Sequence, residues 1–85
     1  MDDVTQLVEA IRTHVHRHPD PNLYLTEDDV WDMALEVLSH SSIPYKEDPN
    51  ELVHSALEMV WDEIPGVEVR GTWEECFEAA MQLGD

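Results

Sequence analysis

Cysteine, glycine and positive charge are scarce in this chain of 85 residues. The single cysteine, Cys76, excludes a disulfide within the chain and favours a reducing compartment over a secreted scaffold. With three glycines there is no phosphate-binding loop, and neither a nucleophile elbow nor a metalloprotease helix motif occurs. We therefore expect no enzymatic activity and no cofactor.

Long apolar segments are also missing. No run approaches the roughly 20 apolar residues that span a membrane, and the acidic start Met1-Asp2-Asp3 is unlike the basic start of a signal peptide. Apolar residues still make up 42% of the chain, enough for a hydrophobic core at this length. The sequence thus predicts one cytoplasmic acidic domain, residues 1–85, with no membrane partner.

The charge balance is strongly one-sided. Four Lys and Arg residues stand against 20 Asp and Glu residues, which gives a formal net charge of −16. Nucleic acids and anionic membranes are bound through Lys and Arg, so direct binding to either is not expected. Basic proteins and cations are the partners that such a charge attracts. Salt adaptation and selection for solubility produce the same imbalance, so both stay open as its cause.

Caps and apolar periodicity predict four helices. They begin at Asp2 or Asp3, at Thr26, after Asp48 and at Thr72, and they end before Pro19, near Ser39, before Pro65 and at Gly84. Thr26 and Asp29 have the spacing of a capping box. We expect an all-α fold, either a four-helix bundle or two stacked helical hairpins, with close helix contacts at Ala34, Ala56 and Ala80.

The two halves of the chain resemble each other. A shift of 46 positions aligns five identical residues, so the chain divides into halves 1–46 and 47–85. Five identities are few, and duplication and coincidence both remain open. The short β-prone links Leu23-Tyr24-Leu25 and Val67-Glu68-Val69 occupy similar places in the two halves and could pair as a very short two-stranded ribbon.

The acids form two stripes, one on the second predicted helix and one on the fourth. At about 100° per residue, each stripe occupies a polar arc opposite the apolar residues. The stripes consist of Asp28, Asp29, Asp32 and Glu36, and of Glu74, Glu75 and Glu78. No Lys or Arg occurs between Arg17 and Lys46, so like charges repel along the first stripe. This cost indicates either a basic partner or a high-salt habitat.

Aromatic and histidine residues supply the remaining candidates. Trp73 lies beside the second stripe, where a half-exposed aromatic side chain would anchor a partner. His14 and His18 are one turn apart, the spacing of two metal ligands, but no third ligand is evident, and packing at the border of the core is the alternative. Residues predicted to lie in the core include Trp31, Trp61, Cys76 and Phe77.

In size, charge and helical character the chain is similar to small acidic inhibitors, such as nuclease immunity proteins and phage-encoded blockers of defence nucleases. No motif assigns the chain to either class. The acidic stripes lead to the hypothesis of a non-enzymatic protein that occupies the basic nucleic-acid-binding surface of a partner. The residues in place of phosphates would be Asp28, Asp32, Glu36, Glu74, Glu75 and Glu78. A phage or mobile-element origin fits this class. The alternative is a structural or regulatory helical module, whose acids serve solubility and whose apolar surface forms a homodimer or a complex.

Overall fold

The computed structural model describes residues 2–46 and 48–83. Within these residues the chain forms helices α1 (Asp3–Arg17), α2 (Glu27–His40), α3 (Pro49–Val60), α4 (Val67–Arg70) and α5 (Trp73–Leu83). Single 3₁₀ turns at Pro21–Leu23 and Trp61–Glu63 follow α1 and α3. No strand occurs in these described residues, which confirms the all-α class. The predicted cap at Gly84 lies outside them. Every described helix is too short or too polar to cross a membrane.

Side-chain caps determine where the helices begin. The carboxylates of Asp2 and Asp48 accept backbone N–H groups in the first turns of α1 and α3. Thr26 and Asp29 form the predicted capping box at the start of α2, and the Thr72 hydroxyl accepts an N–H in the first turn of α5. These N–H groups have no partner inside the helix, so the caps stabilise the four predicted starts.

Helices α1, α2 and α3 form the hydrophobic core. Each turns an apolar stripe inward, and the most deeply buried side chains are Leu7, Ile11, Val30, Leu52, Val53, Leu57, Val60, Trp61 and Ile64. Burying a side chain of this size contributes about 1.5–3 kcal/mol. Ala34 and Ala56 are also fully buried, as expected for positions where helices approach closely.

Helix α5 lies at the edge of this core. In its described part, Trp73 and Cys76 pack against the core. The sequence predicts Phe77 in the core and Ala80 at a close helix contact, but Phe77 is 40% exposed, Ala80 is exposed, and Met81 on the same apolar face is 62% exposed. Periodicity identifies the residues that share a face, but it does not say whether another element covers that face. The arrangement as a four-helix bundle or as two stacked hairpins is not confirmed.

The two β-prone links do not pair as a ribbon within the described residues. The first begins at the last residue of the 3₁₀ turn Pro21–Leu23, and the second lies within the helical turn α4, between Gly66 and Gly71, both at positive φ. The guanidinium of Arg70, at the end of α4, donates to the carbonyl oxygen of Tyr24 at 2.8 Å. A side chain thus satisfies the carbonyl group that a neighbouring strand would have bound.

Candidate functional site

The acidic stripes lie on the solvent-facing sides of α2 and α5. All seven of their residues are exposed: Asp28, Asp29, Asp32 and Glu36 on α2, and Glu74, Glu75 and Glu78 on α5. The helical period places them there because the opposite side of α2 enters the core and Cys76 of α5 faces it.

Most of the stripe carboxylates have no counter-charge among the residues that the structure describes. In the described residues, the ion pairs made by Lys and Arg are those of Arg12 with two glutamates outside the stripes. Glu36 lies 4.0 Å from the ring of His40, and Asp29 is engaged in the capping box of α2. The remaining stripe acids present uncompensated negative charge to solvent.

Helices α2 and α5 both flank α3, around the imidazole of His54. The ring centroid of His54 lies 6.5 Å from that of Trp31, 5.0 Å from that of Trp73 and 5.3 Å from that of Phe77. Trp31 was predicted in the core but is half-buried, because its indole N–H donates to the side chain of Asn50 at 3.3 Å near the surface. The two helices that carry the stripes therefore meet at one aromatic cluster.

An open groove of about 640 Å³ runs between α3 and α5. We call it the acidic groove. Its lining residues are His54, Glu58, Trp61 and Asp62 on one wall, and Thr72, Trp73, Glu74, Phe77 and Glu78 on the other. Each wall supplies two carboxylates one helical turn apart and two aromatic rings. The carboxylates are exposed while Trp61, Trp73 and His54 are buried or half-buried, so an acidic rim surrounds an aromatic floor.

Trp73 is the central ring of this floor. Its ring meets that of Trp61 nearly edge-on, at a centroid distance of 5.2 Å and an interplanar angle of 64°. It stacks against Phe77 at 6.0 Å and 25°. The indole N–H of Trp61 in turn donates to the carbonyl oxygen of Gly71 at 2.9 Å. Trp73, predicted as a half-exposed side chain at the helix edge, thus joins α5 to the core and lines the groove.

Part of the acidic groove was not predicted from the sequence. Glu58 and Asp62 lie on the same face of α3 and of the turn that follows it, one helical turn apart, which is the spacing that identified the stripes. The structure brings them to the same groove as Glu74 and Glu78. No residue of the α2 stripe lines the described groove.

His14 and His18 lie at a separate site, near the C-terminal end of α1. Their ring centroids are 5.1 Å apart, and they line a pocket between α1 and α2 together with Glu36 and His40. Burial and the neighbouring His18 lower the pKa of His14, while Glu36 opposes this shift. In the described part of the chain, no group of three His, Cys, Asp or Glu side chains is placed to hold a metal ion.

The half-buried thiol of Cys76 contributes to packing. Its Sγ donates to the carbonyl oxygen of Arg70 at 3.3 Å. Burial raises the pKa of the Cys76 thiol, and the charge of Glu27 adds to this effect. The thiolate is the reactive form, and this environment disfavours it.

Comparisons with protein-family models, with curated proteins and with solved structures found no match. Function is therefore inferred from the chemistry of the surface. Its distinguishing features are the exposed acidic stripes, the acidic groove and the half-buried aromatic cluster around His54.

Proposed function

We propose that the chain is a non-enzymatic, cytoplasmic binding protein that covers the basic nucleic-acid-binding surface of a partner protein. The observation that carries the proposal is the exposure of all seven stripe acids, most of them without an ion-pair or capping partner in the described residues. A surface of one sign attracts and orients a surface of the opposite sign. A nuclease or defence complex blocked by a phage or mobile element is the partner class that fits.

The spacing along α2 supports contact with phosphate-binding groups. Asp28, Asp32 and Glu36 follow one another at intervals of one turn, about 6 Å along the helix axis. This interval is of the same order as the distance between phosphates of one nucleic-acid strand. Lys and Arg side chains arranged for phosphates can therefore meet these carboxylates in register. Asp29 contributes less, because it holds the capping box.

The exposure of the acids supports binding rather than catalysis. A carboxyl group acts as a general acid near neutral pH when burial raises its pKa beside a substrate pocket. In the described part of the chain no charged residue is fully buried, and the stripe acids are exposed. Partial burial raises the pKa of Glu27, but this residue lies outside the stripes and the acidic groove. Long-range attraction of a basic surface, in contrast, needs exposed charge.

Affinity capture from the source cell, followed by a salt titration, tests the proposal. We expect a basic, nucleic-acid-handling partner that is released as the salt rises from about 0.1 M to about 1 M, because the screening length falls from about 10 Å to about 3 Å. We also expect DNA or RNA to compete with the chain for this partner. A captured partner that binds equally well at low and high salt and keeps its nucleic acid would contradict the proposal.

The exposed apolar residues of α5 favour a second candidate function. Phe77, Ala80 and Met81 leave an apolar face uncovered in the described chain. A structural or regulatory module that dimerises through α5 would cover this face. Light scattering at increasing salt separates the two candidates, because two chains of charge −16 repel each other and a dimer should strengthen with salt. A complex held by complementary charge should weaken.

A further inference from the structure

We infer that the acidic groove binds an arginine side chain presented by a basic segment of the partner. The inference deepens the proposed function and rests on it for the basic character of the partner. The chemistry of the groove can be tested without that partner.

The first step is the charge of the rim. The carboxylates of Glu58, Asp62, Glu74 and Glu78 are exposed around the groove, and none of them forms an ion pair with Lys or Arg in the described residues. The charge of Asp62 acts on Arg70, but the Arg70 guanidinium is engaged with backbone carbonyl oxygens. A guanidinium that enters from outside can donate from both of its edges, to carboxylates on opposite walls.

The second step is the aromatic floor. Phe77 is 40% exposed and stacks on the half-buried Trp73, and both rings line the groove, so part of the aromatic cluster is open to a ligand there. A planar guanidinium stacks on such rings, whereas the ammonium group of lysine is a compact and strongly hydrated charge. The chain holds an internal example, because the Arg70 guanidinium lies 4.4 Å from the centroid of the Trp61 ring. That same ring contacts Trp73.

The third step is the size of the groove. Its volume of about 640 Å³ falls within the range of roughly 300–1,000 Å³ that is typical of ligand sites. Its open shape and two-sided rim suit an arginine together with the peptide backbone that carries it. The occupant is therefore a segment of a protein chain rather than the free amino acid.

Short synthetic peptides test the inference directly. Three peptides of equal length are compared, each with three identical residues separated by glycines: arginine, lysine or the neutral citrulline. Binding is followed by NMR through the indole N–H of Trp73 and the amides of α2 and α5. We expect the arginine peptide to bind about two- to fivefold more tightly than the lysine peptide, and the citrulline peptide to bind most weakly. Equal binding of the arginine and lysine peptides would overturn the inference.

Charge-matched variants locate the site. Glu58→Gln with Glu78→Gln removes two charges from the groove and keeps the side-chain shape, and Asp28→Asn with Asp32→Asn removes two charges from α2. We expect the first double variant to bind the arginine peptide about tenfold or more weakly than the wild type does, and the second to change the affinity for this peptide much less. Phe77 is exposed, and the substitution Phe77→Ser should abolish the preference for the arginine peptide over the lysine peptide. If the two double variants lose the same affinity for the arginine peptide while circular dichroism shows that both are folded, the inference is overturned.

The outcomes separate this inference from the proposed function. A captured partner that is lost on reversing the α2 acids but tolerates all groove variants would overturn the groove inference and leave the proposed function standing. Selective binding of the arginine peptide in the groove, together with a partner that keeps its nucleic acid, would overturn the proposed function and leave the groove inference standing.

Discussion

The guanidinium of Arg70 lies over the ring of Trp61, with its Cζ atom 4.4 Å from the ring centroid. It also donates hydrogen bonds to four backbone carbonyl oxygens, those of Tyr24, Trp61, Ile64 and Pro65. Burial lowers the pKa of Arg70, which nearby acidic groups partly offset. A single side chain thus ties the link before α2 to the segment that leads into α5.

Loss of this side chain should destabilise the fold. Arg70→Ala removes the guanidinium donor from four carbonyl oxygens, of which that of Trp61 still accepts the N–H of Ile64, and it removes the stacking on Trp61. We therefore expect it to lower the free energy of unfolding by about 2–4 kcal/mol. Arg70→Lys keeps the charge but loses the forked geometry and should have an intermediate effect. Urea unfolding measures both. Arg12→Ala is the control, since its ion pairs are exposed. An equal cost at Arg12 would contradict the prediction.

Enlarging the buried alanines should also destabilise the fold. Ala34 and Ala56 are fully buried between helices, so Ala34→Leu and Ala56→Leu should each cost about 1–3 kcal/mol through overpacking. Ala80 aligns with Ala34 in the shifted halves but is exposed, and Ala80→Leu should change the free energy of unfolding little. Thermal unfolding of the three variants checks this contrast. A large loss at Ala80 would show that α5 is covered in solution.

The contrast between Ala34 and Ala80 also shows what periodicity predicts. Helix starts and the core of α1, α2 and α3 followed from the sequence, because caps act within a few residues and an apolar stripe identifies the inward side. Whether another element covers the apolar face of α5 did not follow from the sequence. The apolar stripe of α5 has the same spacing as that of α2, but in the described residues Phe77 contacts only the edge of α3 through His54, and Phe77 and Met81 stay 40% and 62% exposed.

Long-range contacts account for the features that sequence patterns missed. The link around Tyr24 was expected to pair as a strand, and one hydrogen bond from Arg70, 46 positions along the chain, replaces that pairing. The exposure of the stripes could be predicted because it depends on a single helix. The acidic groove could not, because it requires Glu58 and Glu78 to be placed on facing walls by the packing of Trp73.

The histidine pocket should make stability depend on pH. Burial and His18 lower the pKa of His14 below its ordinary value of 6.5. The unfolded chain therefore binds a proton that the folded chain does not, and this contribution to stability falls as the pH drops through 6.5 towards the folded pKa. Arg17, His18, Glu36 and His40 also line this pocket; the charge of His18 disfavours the protonated form of His14, and that of Glu36 favours it.

The substitution His14→Gln isolates this effect. As the pH falls from about 8 to about 5, the Tm of the variant should rise relative to the Tm of the wild type. Parallel Tm curves over this range would show that His14 titrates alike in the folded and unfolded chains.

Metal should not contribute to folding. A structural zinc site normally uses four ligands, whereas His14 and His18 provide two, and the described residues contain no group of three suitable side chains. We expect a chelator to leave the Tm of the purified protein unchanged. If the chelator lowers the Tm of the wild type but not that of the His14→Gln variant, the histidine pair is part of a metal site.

Reversing the charge of the α2 stripe should weaken binding to a basic partner, mainly through slower association. The triple variant Asp28→Lys, Asp32→Lys, Glu36→Lys places three cations where the proposal requires anions. Complementary charge accelerates association by about ten- to a thousandfold, and this effect fades with salt. We therefore expect at least about a tenfold loss in the association rate at low salt, and a smaller difference at high salt.

The control for this reversal must carry the same change in charge elsewhere. Asp2 is unsuitable because it caps α1, whereas Glu9, Glu51 and Glu68 are exposed and lie outside the stripes and the acidic groove. Glu9 pairs with Arg12, but this ion pair is exposed, so its loss should cost little stability. Reversing these three glutamates should slow association much less, because complementarity depends on where the charge lies as well as on its total. Surface plasmon resonance with the captured partner measures both triple variants. If the association rate falls by the same factor in the two triple variants, net charge alone drives binding and the α2 stripe is not the contact surface.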